Sequence, residues 1–208
     1  MDKTDIWPAI HVERKALATD LQGLGDDRWA TASLCHPWTV RDVTAHMTAT
    51  AKITPPAFFV KLAGSGFSLA RLQDRDIAVE KGAIPADTLA RFEGVVNSVK
   101  HPPGPTDSWL GEAIIHAEDI RRPLGIQHEY PADAVMRVAD FYKGSNLIVG
   151  AKRRIDGVTL RATDAEWSHG SGPEVSGPLL SLLLAMTGRK EALDDLSGDG
   201  VATLRDQA

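Results

Sequence analysis

Glu112 and His116, a glutamate and a histidine four residues apart, are the pair in this sequence best placed to do chemistry. On a helix that spacing stacks carboxylate and imidazole on one face, where both can reach a single divalent cation. Two such donors with a third from elsewhere form a three-ligand set that leaves a coordination position open for a reacting group. His46, on a second amphipathic segment, is the natural third donor, because helix bundles build metal sites from facing helices. The bland readings stand beside this one. Glu112 and His116 at this spacing also suit an ordinary contact within one helix, and a lone histidine such as His46 is commonly a satisfied core residue.

Other candidates carry less. Cys35 and His36 are adjacent, but neighbours in sequence rarely point to one place and no CxxC partner exists, so Cys35 reads as a small buried apolar residue. A Cys–His nucleophile is the alternative there. His11, His101 and His128 read as surface residues. Arg121 and Arg122 could hold a carboxylate, or simply complement the C-terminal dipole of the helix they end. Gly170 to Pro178 leads towards a helix start that could receive an anion, yet it matches neither nucleotide-binding fingerprint and also suits a plain strand-to-helix turn.

Helices must position these groups. Asp5 to Gly23 is amphipathic, with Ile6, Ile10, Leu17 and Leu21 at helical steps. Thr39-Val40-Arg41-Asp42 has the capping-box pattern and starts the helix carrying His46, which Pro55-Pro56 must end or kink. Phe58 to Leu69 reads as a further helical or loop stretch around Gly64 and Gly66. Ala86 to Val99 reads as a helix burying Leu89, Phe92, Val95, Val96 and Val99. Asp107 or Ser108 can cap the helix carrying Glu112 and His116, stopped near Pro123 and Gly125. Beyond a boundary between about 125 and 132 the texture changes. Asp133 to Val149 reads as one long helix, its Leu147 facing inward, Gly157 to Thr163 alternates as a half-buried strand, and Pro178 opens the first turn of an apolar helix over Leu179 to Thr187. The expected fold class is α+β, mainly helical: a four-helix bundle over residues 1–128 and a smaller α/β lobe over 129–208.

The 208 residues carry 43% hydrophobic and 25% charged residues, enough apolar surface for a core. A net charge of -5 offers no basic field for nucleic acid, and no span is apolar and long enough for a membrane. One cysteine excludes an internal disulfide framework, and the acidic N-terminus does not read as a signal peptide. The expectation is a cytoplasmic protein; its oligomeric state is left open.

Three blocks occur in a telling order: Trp29; Cys35-His36-Pro37-Trp38-Thr39-Val40-Arg41-Asp42 with His46; and Gly111-Glu112 through His116 to Arg121-Arg122-Pro123-Leu124-Gly125. Together they resemble the mycothiol-dependent maleylpyruvate isomerase family of the DinB-like helix-bundle superfamily. Gly157 to Leu204 looks like the smaller domain often attached to that bundle. The resemblance implies a DinB-like metal-binding bundle with His46, Glu112 and His116 as ligands. It also implies a small thiol, mycothiol or similar, and a small-molecule substrate. The ion is expected to be zinc, with nickel or iron(II) also compatible with such donors. The implied activity is a metal- and thiol-dependent cis–trans isomerisation or thiol S-transfer; the alternative is a non-catalytic metal- or ligand-binding module in stress response or regulation. A third reading is a metal-free bundle in which Glu112 and His116 only pair with each other. No catalytic residue is assigned, and Arg121, Arg122 and Arg189 are the candidates for contacting thiol or substrate.

Overall fold

A computed structural model describes residues 6–147 and 149–207. The expected helix start at Asp5 lies outside these. Contacts divide the chain into two compact units, the first closing at His128 and the second opening at Glu129.

The first unit is a helix bundle. Its elements are α1 (Ile6–Leu21), the single turn α2 (Asp26–Trp29), α3 (Val40–Lys52), α4 (Pro55–Gly64), α5 (Leu69–Lys81), α6 (Pro85–Glu93) and α7 (Thr106–Leu124). Its core joins Leu17 and Leu21 of α1, Val40, Val43, Met47 and Ala51 of α3, Phe92 of α6, and Ala117 and Ile120 of α7. Thr39 caps α3 as its sequence predicts: its Oγ1 accepts from the Asp42 amide at 3.3 Å, and Asp42 Oδ2 accepts from the Thr39 amide at 3.0 Å. Lys81 Nζ sits 2.7 Å from Asp42. Burial raises the Asp42 pKa, but the Lys81 and Thr39 bonds outweigh it and hold the carboxyl below its ordinary value.

Several expectations need correction. The Phe58 to Leu69 stretch is the end of α4 and the turn into α5, a helix the sequence reading missed. Helix α6 stops at Glu93, before Gly94, so Val99 is exposed rather than buried. Neither Asp107 nor Ser108 caps α7; it begins at Thr106 behind Pro105. The helix does end where its sequence predicts, at Leu124 between Pro123 and Gly125, with Pro123 inside its last turn. A proline inside a helix withholds one amide from the carbonyl four residues back, here that of Asp119. The Leu34 amide takes this carbonyl instead, at 3.2 Å.

The second unit contains α8 (Ala132–Lys143), α9 (Ala151–Arg154), β1 (Thr159–Ala162), β2 (Ser168–Gly170), β3 (Glu174–Gly177), α10 (Leu179–Met186), a 3-10 turn (Lys190–Asp195) and α11 (Val201–Gln207). The sheet order is β2-β1-β3, with β2 antiparallel and β3 parallel to β1. The single long helix expected over Asp133 to Val149 ends instead at Lys143, before Gly144, which leaves Leu147 exposed. The glycine-rich stretch is not a bare strand-to-helix turn, because β3 is inserted in it. Gly172 shows why that segment needs glycine: at φ 125°, a Cβ there would collide with the Gly157 carbonyl. Helix α10 buries Leu179, Ser181 and Leu182 to Met186, so it is apolar nearly all round. The molecule is thus a helical bundle with a small α/β lobe, and no described helix is long and apolar enough to cross a membrane.

Candidate functional site

Helices α3 and α7 meet along two facing pairs. His46 and Thr50 lie one turn apart on α3; Glu112 and His116 lie one turn apart on α7. Thr50 Oγ1 donates to Glu112 Oε1 at 2.6 Å. One turn along, the His46 and His116 rings approach edge to face with centroids 5.1 Å apart. Trp38 also packs on His46, 4.9 Å between centroids. Burial, then the neighbouring His116 ring, push the His46 pKa down to about 3, against an opposing pull from Asp119. His46 is therefore a neutral imidazole at neutral pH, the form that binds metals.

Asp119 continues the α7 stripe one turn beyond His116. It is fully buried, and His116 Nδ1–H donates to its Oδ2 at 2.8 Å. That bond fixes ring and tautomer and leaves Nε2 for another partner, as carboxylates do behind metal-binding histidines. Below Glu112 lies Arg14 of α1, also buried. Its Nη2 donates to Glu112 Oε2 at 3.5 Å and its Nη1 to the Ser98 carbonyl at 3.2 Å. Glu112 and His116 are consequently partnered by Thr50, Arg14 and Asp119 rather than by each other, which overturns the reading of a simple Glu–His pair.

The three ligands expected from the sequence are drawn together unequally. His46 and His116 face one another, whereas both Glu112 oxygens are already engaged. Among the described residues, one group of three potential donors has its atoms within 4.8 Å of one another, and it is Cys35, His116 and Asp119. Sequence reasoning missed Thr50, Arg14 and Asp119. The first and last had a signal, at four residues from His46 and three from His116; Arg14, nearly a hundred residues away, had none.

Residues 10–109 match the family model of the mycothiol maleylpyruvate isomerase N-terminal domain. That segment is similar to the family's N-terminal domain over a little under half of the chain. The match takes in Cys35 and His46 and ends just before Glu112 and His116. Two solved structures share the fold. One is a mycothiol-dependent maleylpyruvate isomerase, with a TM-score of 0.66 and 14% identity, covering 96% of this chain and 93% of that one. The other is a histidine-to-alanine mutant described in the same words, with a TM-score of 0.65, 13% identity and the same coverage. No curated protein matches the chain in sequence.

The arginine candidates have structural partners. Arg121 is fully buried and donates through Nε to Asp20 at 2.7 Å, while Arg122 Nε reaches Glu118, one turn back, at 3.1 Å. Arg189 lies in the second unit and donates to the Thr187 carbonyl at 2.9 Å. His11, His101 and His128 are half-buried and partnered rather than plain surface residues. His11 Nε2 donates to the Ser98 carbonyl at 3.3 Å, His101 stacks against Trp7 at 5.6 Å, and His128 lies 2.9 Å from Glu13.

Proposed function

We propose that the chain is a divalent-metal- and small-thiol-dependent enzyme, with His46, Glu112 and His116 holding the ion, zinc by preference. Its reaction would be a cis–trans isomerisation of a small unsaturated acid of the maleylpyruvate type, or transfer of the thiol to such an acceptor. The observation that carries this is the facing pair of imidazoles, one kept neutral by burial and the other oriented by a buried carboxylate. The donor set fits: two imidazoles and a carboxylate suit zinc with a position left open. Each Glu112 oxygen keeps a second lone pair beyond the bond it already accepts. The family match supports the thiol, since the matched domain is named for mycothiol.

When bound, such an ion lowers the pKa of a coordinated thiol, so that thiolate exists at neutral pH. The remaining work falls to this chain. His46 needs no deprotonation before it ligates. Asp119 holds the His116 ring still, and Thr50 and Arg14 fix the Glu112 carboxylate against α3 and α1. Thiolate addition to the substrate double bond makes it a single bond that can rotate; expulsion of the thiolate restores the double bond in the other geometry, with no net redox change.

The test is metal content of purified protein, with and without added zinc, in wild type and His46→Ala. About one ion per chain, lost in the variant, supports the three-ligand site and justifies screening mycothiol-type thiols with unsaturated keto acids. No ion in the zinc-loaded wild type overturns the enzyme reading and favours a non-catalytic binding module, in which Glu112 serves only as the buried partner of Arg14 and Thr50.

A further inference from the structure

Cys35 sits in the loop between α2 and α3, and that loop is tied down at several points. Ser33 Oγ donates to the Trp38 carbonyl at 2.6 Å, the Cys35 amide donates to Ser33 Oγ at 3.1 Å, and the Trp38 amide donates to the Cys35 carbonyl at 2.9 Å. The decisive tie is the Leu34 amide on the Asp119 carbonyl. Pro123 leaves that carbonyl without its usual helical partner, and the Leu34 amide, from outside the helix, takes it. The residue next to Leu34 is thereby brought against the Asp119 turn. Its thiol, a His116 ring nitrogen and an Asp119 carboxylate oxygen all lie within 4.8 Å of one another.

We propose that Cys35 is a sulfur donor to the divalent ion held at His116, so that the resting site is a mixed sulfur, nitrogen and oxygen site. This rests on the reading that an ion binds at His116, and adds to it a ligand that the three-residue set does not contain. Metal–donor bonds are about 2.0–2.3 Å for zinc with nitrogen or sulfur, so a thiol within 4.8 Å of a His116 ring nitrogen is a small side-chain rotation from sharing an ion with that ring, while Asp119 stays behind it as its hydrogen-bond partner. Binding releases the thiol proton to solvent, as ligation of any cysteine does, and no oxidant or reductant is involved. A sulfur donor at this place makes the site more thiophilic than two imidazoles and a carboxylate alone. It also occupies the position at which an incoming small thiol would bind, which the latter must displace or share.

The chain's single cysteine gives this a clean readout. Cobalt(II) titrated into the full-length protein is expected to produce a near-ultraviolet thiolate-to-cobalt charge-transfer band at one ion per chain. Cys35→Ser should bind cobalt without that band and at least about tenfold more weakly, because even losing an outer-shell partner costs 10–100-fold in affinity. His46→Ala should lose most of its bound cobalt, and whatever cobalt remains should keep the band. Independently, zinc should slow modification of Cys35 by a thiol reagent in wild type. Cobalt bound without the band, or thiol modification indifferent to zinc, overturns the proposal and leaves the His46–Glu112–His116 reading standing. Failure of wild type to bind cobalt or zinc at all overturns both.

Discussion

In the bundle, Arg14, Glu112 and Asp119 are buried, and each finds a named partner on another turn or another helix. In the second unit, Asp140, Lys143, Asp156 and His169 line an open cleft of about 580 Å³. There Lys143 Nζ pairs with Asp140 at 2.6 Å, both side chains partly in water. Burial, then Lys143, lower the His169 pKa, and Asp140 opposes them. The two regions hold similar residue types in different media, and the medium decides what they can do. Water screens and relaxes the cleft charges, whereas in the bundle each charge depends on the group beside it. Preorganised chemistry is therefore expected of the bundle.

The sharpest way to break that contrast is to strand one of the buried charges. Arg14→Leu leaves Glu112 buried with Thr50 as its remaining partner, and removing one member of a buried ion pair costs about 3–5 kcal/mol. Chemical denaturation should show a loss of that size, most of it recovered in Arg14→Leu/Glu112→Leu. A loss below about 1 kcal/mol would mean that water reaches Glu112 and that the bundle site resembles the cleft.

A smaller effect is expected two turns further on. Asp119→Asn keeps the shape but removes the negative charge that orients and enriches the His116 ring. Zinc affinity should fall about 10–100-fold with the fold intact, the range found for outer-shell partners of metal-binding histidines. Equal affinity in the two proteins would remove Asp119 from the site.

The legibility of these regions in the sequence differs as well. The capping box at Thr39, the helical phase of His46, and the Glu112–His116 spacing are local patterns, and local patterns survive in a single chain. The long-range ties were invisible. Nothing in the order of residues says that Arg14 lies under Glu112, or that Ser98 accepts from both His11 and Arg14. Pro123 and Gly125 did mark the end of α7, but that the carbonyl freed by Pro123 would be taken by the Leu34 amide could not be read from them. Strands β2 and β3 are three and four residues long and rich in glycine and serine, too short for an alternating pattern to register. Glycine also explains the helix ends misplaced at Gly94 and Gly144, where apolar residues beyond the true end kept a helical rhythm.

The next effect is a slope. The His46 pKa lies at about 3 in the fold against about 6.5 in an unfolded chain. Between these values the unfolded state binds the extra proton, so stability rises with pH across that window and is progressively lost on acidification below about 6.5. The metal-free protein should carry a contribution approaching one proton, about 1.4 kcal/mol per pH unit, which His46→Gln removes. Identical pH–stability slopes for the two proteins would show that the ring is hydrated.

The smallest effect belongs to the second unit. Arg161 of β1 and Glu174 of β3 form an ion pair at 2.8 Å, their side chains 56% and 47% exposed. Their geometry is shorter than that of Arg14 and Glu112, which meet at 3.5 Å. If distance governed stability, the Arg161 pair would be the stronger; if medium governs, it should contribute little. Exposed pairs are worth about 0–1 kcal/mol because water already solvates both charges and salt screens what remains. Glu174→Gln should therefore shift stability by no more than about 0.5 kcal/mol, and the shift should vanish in high salt. A larger, salt-insensitive loss would mean that this edge of the sheet is shielded from water, and the second unit would then owe its stability to a charge network of the kind found in the bundle.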